Sequence, residues 1–274
     1  MDPVTSNIHD WVPPKSTIAR DFGSASHTYN PAARLLRYMG QVLLDQLKEG
    51  LHQAQSTDGL QILDLGSGTG WFTGQLASIP GSQVTGVDIA AGMLRYARSA
   101  NPSGIRWIEA DAEALPLPDN SVDAVFSNLM IQWCRDPAGV LAECRRVLRP
   151  GGRLLVSTLL EGTLDELREA WHRADPGHQH VNRFESEARF REQAFETLPD
   201  PQLAIETISL DYPSPLALLA ELKAIGAGYK GASRRQSATA PGRLRAMCRY
   251  YPRDGEDRIQ ATYTSAWLGC RLPD

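Results

Sequence analysis

From Leu35 onward, the apolar residues Leu36, Met39, Leu43 and Leu47 recur three and four positions apart, the spacing of an amphipathic helix that should end near Gly50. Upstream, Pro3, Pro13, Pro14, Gly23 and Pro31 break any period, so the chain reads as an extended arm that turns helical over residues 18–29. Past residue 60 the pattern changes to short apolar runs alternating with helical stretches. Strands are expected at residues 61–65, 83–88, 105–109, 122–127 and 153–158. Helices are expected at 72–79, 93–100 and 138–148, and a turn at Pro150-Gly151-Gly152. Strands separated by helices of this length pair in parallel through right-handed crossovers, which makes the chain α/β, a doubly wound Rossmann-like sheet with helices on both faces. After Thr158 the alternation stops, and residues 160–200 are polar and helix-prone, an insertion expected to form a helical lid over the carboxyl edge of the sheet. Strand-like composition returns at 204–210 and 262–268, with helical stretches at 215–225 and 243–250 between them. The expected division is an N-terminal arm or lid over residues 1–34 and one domain over 35–274 that carries the insertion.

Composition narrows the classes of function. Of the 274 residues 42% are hydrophobic and 22% charged, which excludes disordered, collagen-like and disulfide-stapled chains. Twenty-eight Lys and Arg against 32 Asp and Glu leave a net charge of -4, so there is no overall positive field to gather nucleic acid or an anionic membrane. No apolar run approaches the roughly 18 residues of a membrane span, and the N-terminus lacks the basic-then-apolar pattern of a secretory leader, so a cytoplasmic location is expected. Cys134, Cys144, Cys248 and Cys270 are scattered without a Cys-x-x-Cys pair and read as reduced, mostly buried thiols. His172, His178 and His180 with Asp175 could suggest a metal, but Asp175-Pro176-Gly177 spells a turn and no Cys joins them; they are expected to shape the insertion, and no metal is expected.

The chemistry concentrates at the ends of the first three strands. Asp64-Leu65-Gly66-Ser67-Gly68-Thr69-Gly70 is an apolar strand running into glycines and then a helix, so the backbone can approach a ligand closely. A dinucleotide fingerprint would need glycine at the sixth position from Gly66, where Trp71 stands. Asp64, one residue before the loop's first apolar neighbour, would repel a phosphate and attract an ammonium group. Asp88 closes the second strand 24 residues after Asp64, a spacing that puts a carboxylate on ribose hydroxyls. Asp111 follows the third strand, where it can accept from an exocyclic adenine amine. Three strand-end acids around one crevice favour an adenosine with an amino-acid tail over a phosphorylated cofactor.

These motifs, with Arg149-Pro150-Gly151-Gly152, resemble the class I S-adenosylmethionine-dependent methyltransferases over roughly residues 58–160. Phe22-Gly23-Ser24-Ala25-Ser26-His27-Thr28-Tyr29, Ser127-Asn128-Leu129-Met130-Ile131-Gln132-Trp133-Cys134 and Val181-Asn182-Arg183-Phe184 are similar to one group within them, the malonyl-acyl-carrier-protein O-methyltransferases of biotin synthesis. So are residues 162–171 and 219–227. The resemblance implies a mostly parallel sheet with an antiparallel last strand, and an S-adenosylmethionine site at Asp64, Gly66, Gly68, Gly70, Asp88, Met93, Asp111 and Ala112. It implies methylation of the free carboxylate of a malonyl thioester on acyl carrier protein, or on coenzyme A, with S-adenosylhomocysteine as the other product. Arg183 becomes the expected carboxylate clamp and Tyr29 the residue closing over cofactor and substrate; Asn128 meets the substrate at the cofactor, and Gln132 and Trp133 line the acyl pocket. The residues alone leave open another small acid or a quinone precursor as acceptor, and a cofactor-binding protein without catalysis. Lys230, Arg234, Arg235, Arg243, Arg245, Arg249 and Arg253 form a basic stretch that could dock an acidic carrier protein.

Overall fold

The computed structural model describes residues 13–52, 59–231 and 239–274. The helices and strands follow in chain order as α1 (Lys15–Ala25), α2 (Tyr29–Ala32), α3 (Arg34–His52), β1 (Gln61–Leu65), α4 (Trp71–Leu76), β2 (Gln83–Asp88), α5 (Ala91–Ala100), β3 (Arg106–Glu109) and β4 (Val122–Asn128). Then come α6 (Pro137–Val147), β5 (Leu148–Leu159), α7 (Asp165–Ala174), α8 (Glu187–Thr197), β6 (Gln202–Tyr212), α9 (Pro215–Ala224), α10 (Pro241–Tyr250) and β7 (Ile259–Arg271). The seven strands form one sheet in the order β3-β2-β1-β4-β5-β7-β6. The first five run parallel, and β7 lies antiparallel between β5 and β6. The order reverses between β1 and β4, so the loops leaving those strands diverge and open a crevice at their carboxyl ends.

Alternate residues along each strand feed opposite layers. Ile62, Ala124, Phe126 and Leu155 point into a core with α3, α7 and α10, while Leu63, Leu65, Val125 and Leu154 point into a core with α6 and α8.

Two expectations are corrected. The helix expected over 18–29 is broken in two, with a turn closed by Thr28 N–H on Ala25 C=O at 2.9 Å; Pro31 lacks an N–H and its ring obstructs a helix running straight through. The turn expected at Pro150-Gly151-Gly152 lies inside β5 as a bulge: Val122 pairs with Leu148 but Ala124 with Arg153, and Gly151 takes φ +71°. The insertion is helical as expected: α7 buries Leu167, Ala170 and Trp171 in one core and α8 buries Phe190 and Ala194 in the other, while the linking segment passes the end of β5, held by Glu161 N–H on Glu185 C=O at 2.8 Å. The polar faces of both helices need water, and their apolar stripes are satisfied only against the two sheet faces.

Candidate active site

The loop after β1 bends back under the crevice through Gly66, Gly68 and Gly70, all in the left-handed region that a side chain disfavours. Their surroundings separate their roles. A Cβ on Gly68 would meet nothing within 4 Å, so the backbone there faces open space inside the cavity. A Cβ on Gly70 would fall 2.4 Å from Asn101 Nδ2 and 2.7 Å from the Trp107 ring. Gly70, expected to bind cofactor, packs against Asn101 at the end of α5 and Trp107 of β3, and unlike Gly66 and Gly68 it does not line the first cavity.

The first cavity is built from strand ends below and the N-terminal helices above. Gly66 and Gly68 after β1, Asp88 at the end of β2, Asp111 and Ala112 after β3, and Leu129 and Met130 after β4 form its floor. Met93 of α5 closes one side, and Lys15, Ile18 and Phe22 of α1 with Tyr29 of α2 form the roof. Asp88 is ordered by the backbone: Oδ2 accepts from Gly68 N–H and Oδ1 from Ala90 N–H, each at 2.8 Å. A carboxylate has about four lone-pair directions, so it can still accept from a pair of hydroxyls. Burial raises its pKa, and those backbone donors oppose the rise. Asp111 accepts from Lys15 Nζ at 2.5 Å, and Glu113 accepts from the same ammonium at 2.6 Å. Sequence reasoning missed Lys15 and Ile18, which lie before the residues carrying the family resemblance; their three-residue spacing on one helix face was the available signal.

Asp64 occupies a recess continuous with this cavity, lined also by Gly66, Gly68, Tyr29 and Asn128. It is 3% exposed and accepts from the Thr73 hydroxyl at 2.5 Å rather than from a cation. Burial pushes its carboxyl up to about 7, with the nearby Asp88 charge adding and the Thr73 bond opposing. Once ionised, a buried carboxylate held this way can accept from an ammonium group.

A second, mostly apolar cavity meets the first across Phe22, Tyr29, Leu129 and Trp133, which line both. Phe22 and Trp133 stack edge to face with centroids 5.1 Å apart. Gln132 lines the second cavity, its amide donating to Leu129 C=O at 2.8 Å. Asn128 sits beside the junction, fixed by donation to Leu36 C=O at 2.9 Å and acceptance from Ser157 Oγ at 2.6 Å. Leu129 holds φ +52°, a conformation costly for a branched-chain residue and concentrated at functional sites, and no sequence signal marked it. Tyr29 borders the first cavity, the Asp64 recess and the second cavity. Its phenol is pushed up by burial and by the Asp88 charge, so at neutral pH it is a hydrogen-bond donor.

Arg183 does not join this group. Its neighbours Val181, Asn182 and Phe184 line both the apolar cavity and an adjoining polar one, whereas Arg183 lines only the polar one. Asp175, His178 and His180 are tied together instead of presenting a shared cation site: Asp175 accepts from His180 Nε2 at 2.9 Å and from Arg243 Nε at 3.1 Å.

Known proteins give the same outline. Residues 63–156 match the family described as Methyltransferase domain. The malonyl-[acyl-carrier protein] O-methyltransferase of Methylococcus capsulatus is 44% identical over 222 residues, covering 78% of each chain. The biotin biosynthesis bifunctional protein BioHC of Cellvibrio japonicus is 43% identical over 257 residues, and this chain, matched over 93% of its length, spans 49% of that one. Among solved structures, the YcgJ protein of Bacillus subtilis superimposes with a TM-score of 0.59 at 18% identity, covering 83% of this chain and 98% of that one, a likeness of fold.

Proposed function

The chain belongs to the malonyl-[acyl-carrier protein] O-methyltransferase family, and from that premise we propose that it methylates the free carboxylate of a malonyl thioester carried on acyl carrier protein, an early step of biotin synthesis. The methyl donor is S-adenosylmethionine. The residues present suit it: the open direction at Gly68 leaves room for its backbone-like tail, and the buried Asp64 supplies the countercharge for its ammonium. In this reading Asp88 accepts from ribose hydroxyls and Asp111 from the adenine amine, while Met93 and Ala112 pack on the base, roles that their lining of one cavity supports. When bound, the donor supplies an electrophilic methyl on a sulfonium.

A carboxylate is already a competent nucleophile, so the protein's work is positioning, in-line alignment and exclusion of water. Phe22, Leu129 and Trp133 close the junction against solvent. Tyr29 donates its phenolic proton in a hydrogen bond to the carboxylate oxygen that is not attacking, which orients the other one. Gln132 bounds the acyl side and Asn128 the cofactor side. The observation that carries this reading is the neutral Tyr29 phenol at the one wall shared by the cofactor cavity, the ammonium recess and the acyl cavity. With labelled S-adenosylmethionine, the protein is expected to methylate malonyl carrier protein and to leave acetyl carrier protein and free malonate unlabelled. Equal labelling of free small acids would overturn the carrier-bound substrate.

A further inference from the structure

The segment over residues 178–184 has two working sides. On the inner side His180, Val181, Asn182 and Phe184 line the apolar cavity. The same four also border a polar cavity of about 470 Å³, whose outer wall is His178, Gln179 and Arg183 together with Arg168, Glu169 and His172 of α7. The two communicate at a rim. Tyr229 borders the apolar cavity, and with the Gln179 amide assigned so that its oxygen faces Arg183, the amide nitrogen donates to Tyr229 Oη at 3.1 Å and the oxygen accepts from Arg183 Nη2 at 2.6 Å and Nε at 3.3 Å. An exposed guanidinium is thus oriented by a neutral amide at the exit from the acyl cavity. The other charges there are less available: Arg168 pairs with Asp165, and Glu161 and Glu169 also line the cavity. Recognition of an anion therefore rests on the Arg183 fork rather than on net charge.

Resting on the functional reading above, we propose that this polar cavity binds the phosphate of the pantetheine arm that carries the malonyl thioester, with Arg183 as a two-pronged donor to its oxygens. The acyl end must reach Tyr29, so the arm leaves past Tyr229, and the first charged group along it is its phosphate. A planar guanidinium matches two phosphate oxygens in a way that a lysine ammonium does not.

The test is equilibrium binding of phosphopantetheine and of pantetheine to the whole protein saturated with S-adenosylhomocysteine, whose own affinity in each variant reports an intact fold. Charged hydrogen bonds of about 1.5–3 kcal/mol correspond to a preference of roughly 10- to 100-fold for the phosphorylated arm. Arg183→Ala is expected to bring that ratio near one, and Arg183→Lys to retain part of it. A wild-type ratio near one, or a ratio that Arg183→Ala leaves unchanged, overturns the proposal. In turnover, Arg183→Ala should raise KM for malonyl carrier protein and malonyl coenzyme A alike, since both carry the arm; a rise confined to either one overturns it. If the wild type methylates neither, the functional reading falls, while the binding ratio still decides this one.

Discussion

At the scale of single residues, Asp64 has the most to reveal, because function and stability pull on it in opposite directions. Its folded-state carboxyl titrates at about 7, above the unfolded value of about 3.9, so the folded protein binds that proton more tightly. Ionisation therefore opposes folding, by an amount that grows as pH rises from about 4 to about 7 and is constant beyond. Asp64→Asn should raise the melting temperature of the cofactor-free protein at pH about 8 and change it little near pH about 4, read by calorimetry. Affinity for S-adenosylmethionine needs the ionised form, so in the wild type it should fall below pH about 7, by up to about tenfold per unit. The variant should bind more weakly with a flat profile, and a wild type flat between pH about 5 and 8 would contradict the assignment. Tyr29→Phe keeps the ring and removes the donor; loss of one hydrogen bond to a charged group predicts a drop of roughly 10- to 100-fold in kcat/KM for the malonyl thioester. The three acids were legible in the sequence because a strand end fixes both position and direction. Gly70 and Arg183 were not, since spacing places a residue near a site without saying which way it faces.

Among the elements, α1 decides whether the cofactor cavity has a roof. Lys15, Ile18 and Phe22 share one face of the helix, Asp21 meets the buried Lys230 at 3.1 Å beside it, and Gly23 lies against Gly92 of α5. A Cβ on Gly92 would stand 2.6 Å from the Gly23 carbonyl oxygen. Gly92→Val should accordingly lift α1, weaken cofactor binding and speed amide exchange in α1 while leaving β1, β4 and β5 protected; unchanged exchange in α1 would refute the close contact. Lys15→Met should have a smaller effect, a rise in cofactor Kd of at most about fivefold that fades with added salt, because the Lys15 pairs are about a third exposed. The short parallel strands could be read from apolar runs ended by glycine, and β2 falls where the sequence places it. Tertiary partners fixed what local pattern could not, namely the break after α1, the bulge in β5 and the parting of α7 from α8.

For the whole molecule, the sheet is a rigid floor between two apolar layers, and the cavities lie where strand order reverses. Phe126 on β4, fully buried with its ring 5.5 Å from Phe72, links that floor to α4 under the glycine loop. Phe126→Ala should cost about 3–5 kcal/mol of stability in denaturant titration. In the basic stretch Lys230 pairs with Asp21, Arg243 with Asp175 and Arg253 with Asp257, while Arg234 and Arg235 lie outside the described residues. Its remaining described members, Arg245 and Arg249, are exposed on α10. The central claim is that the cofactor and acyl cavities meet at Tyr29 so that the methyl lands on the free carboxylate. The most direct measurement is to locate the label on malonyl carrier protein after a single turnover. A methyl released as methanol by mild base, with the thioester carbonyl and the carrier side chains unlabelled, is the predicted result. Label on the central carbon of the malonyl group, or on the carrier polypeptide, would contradict it.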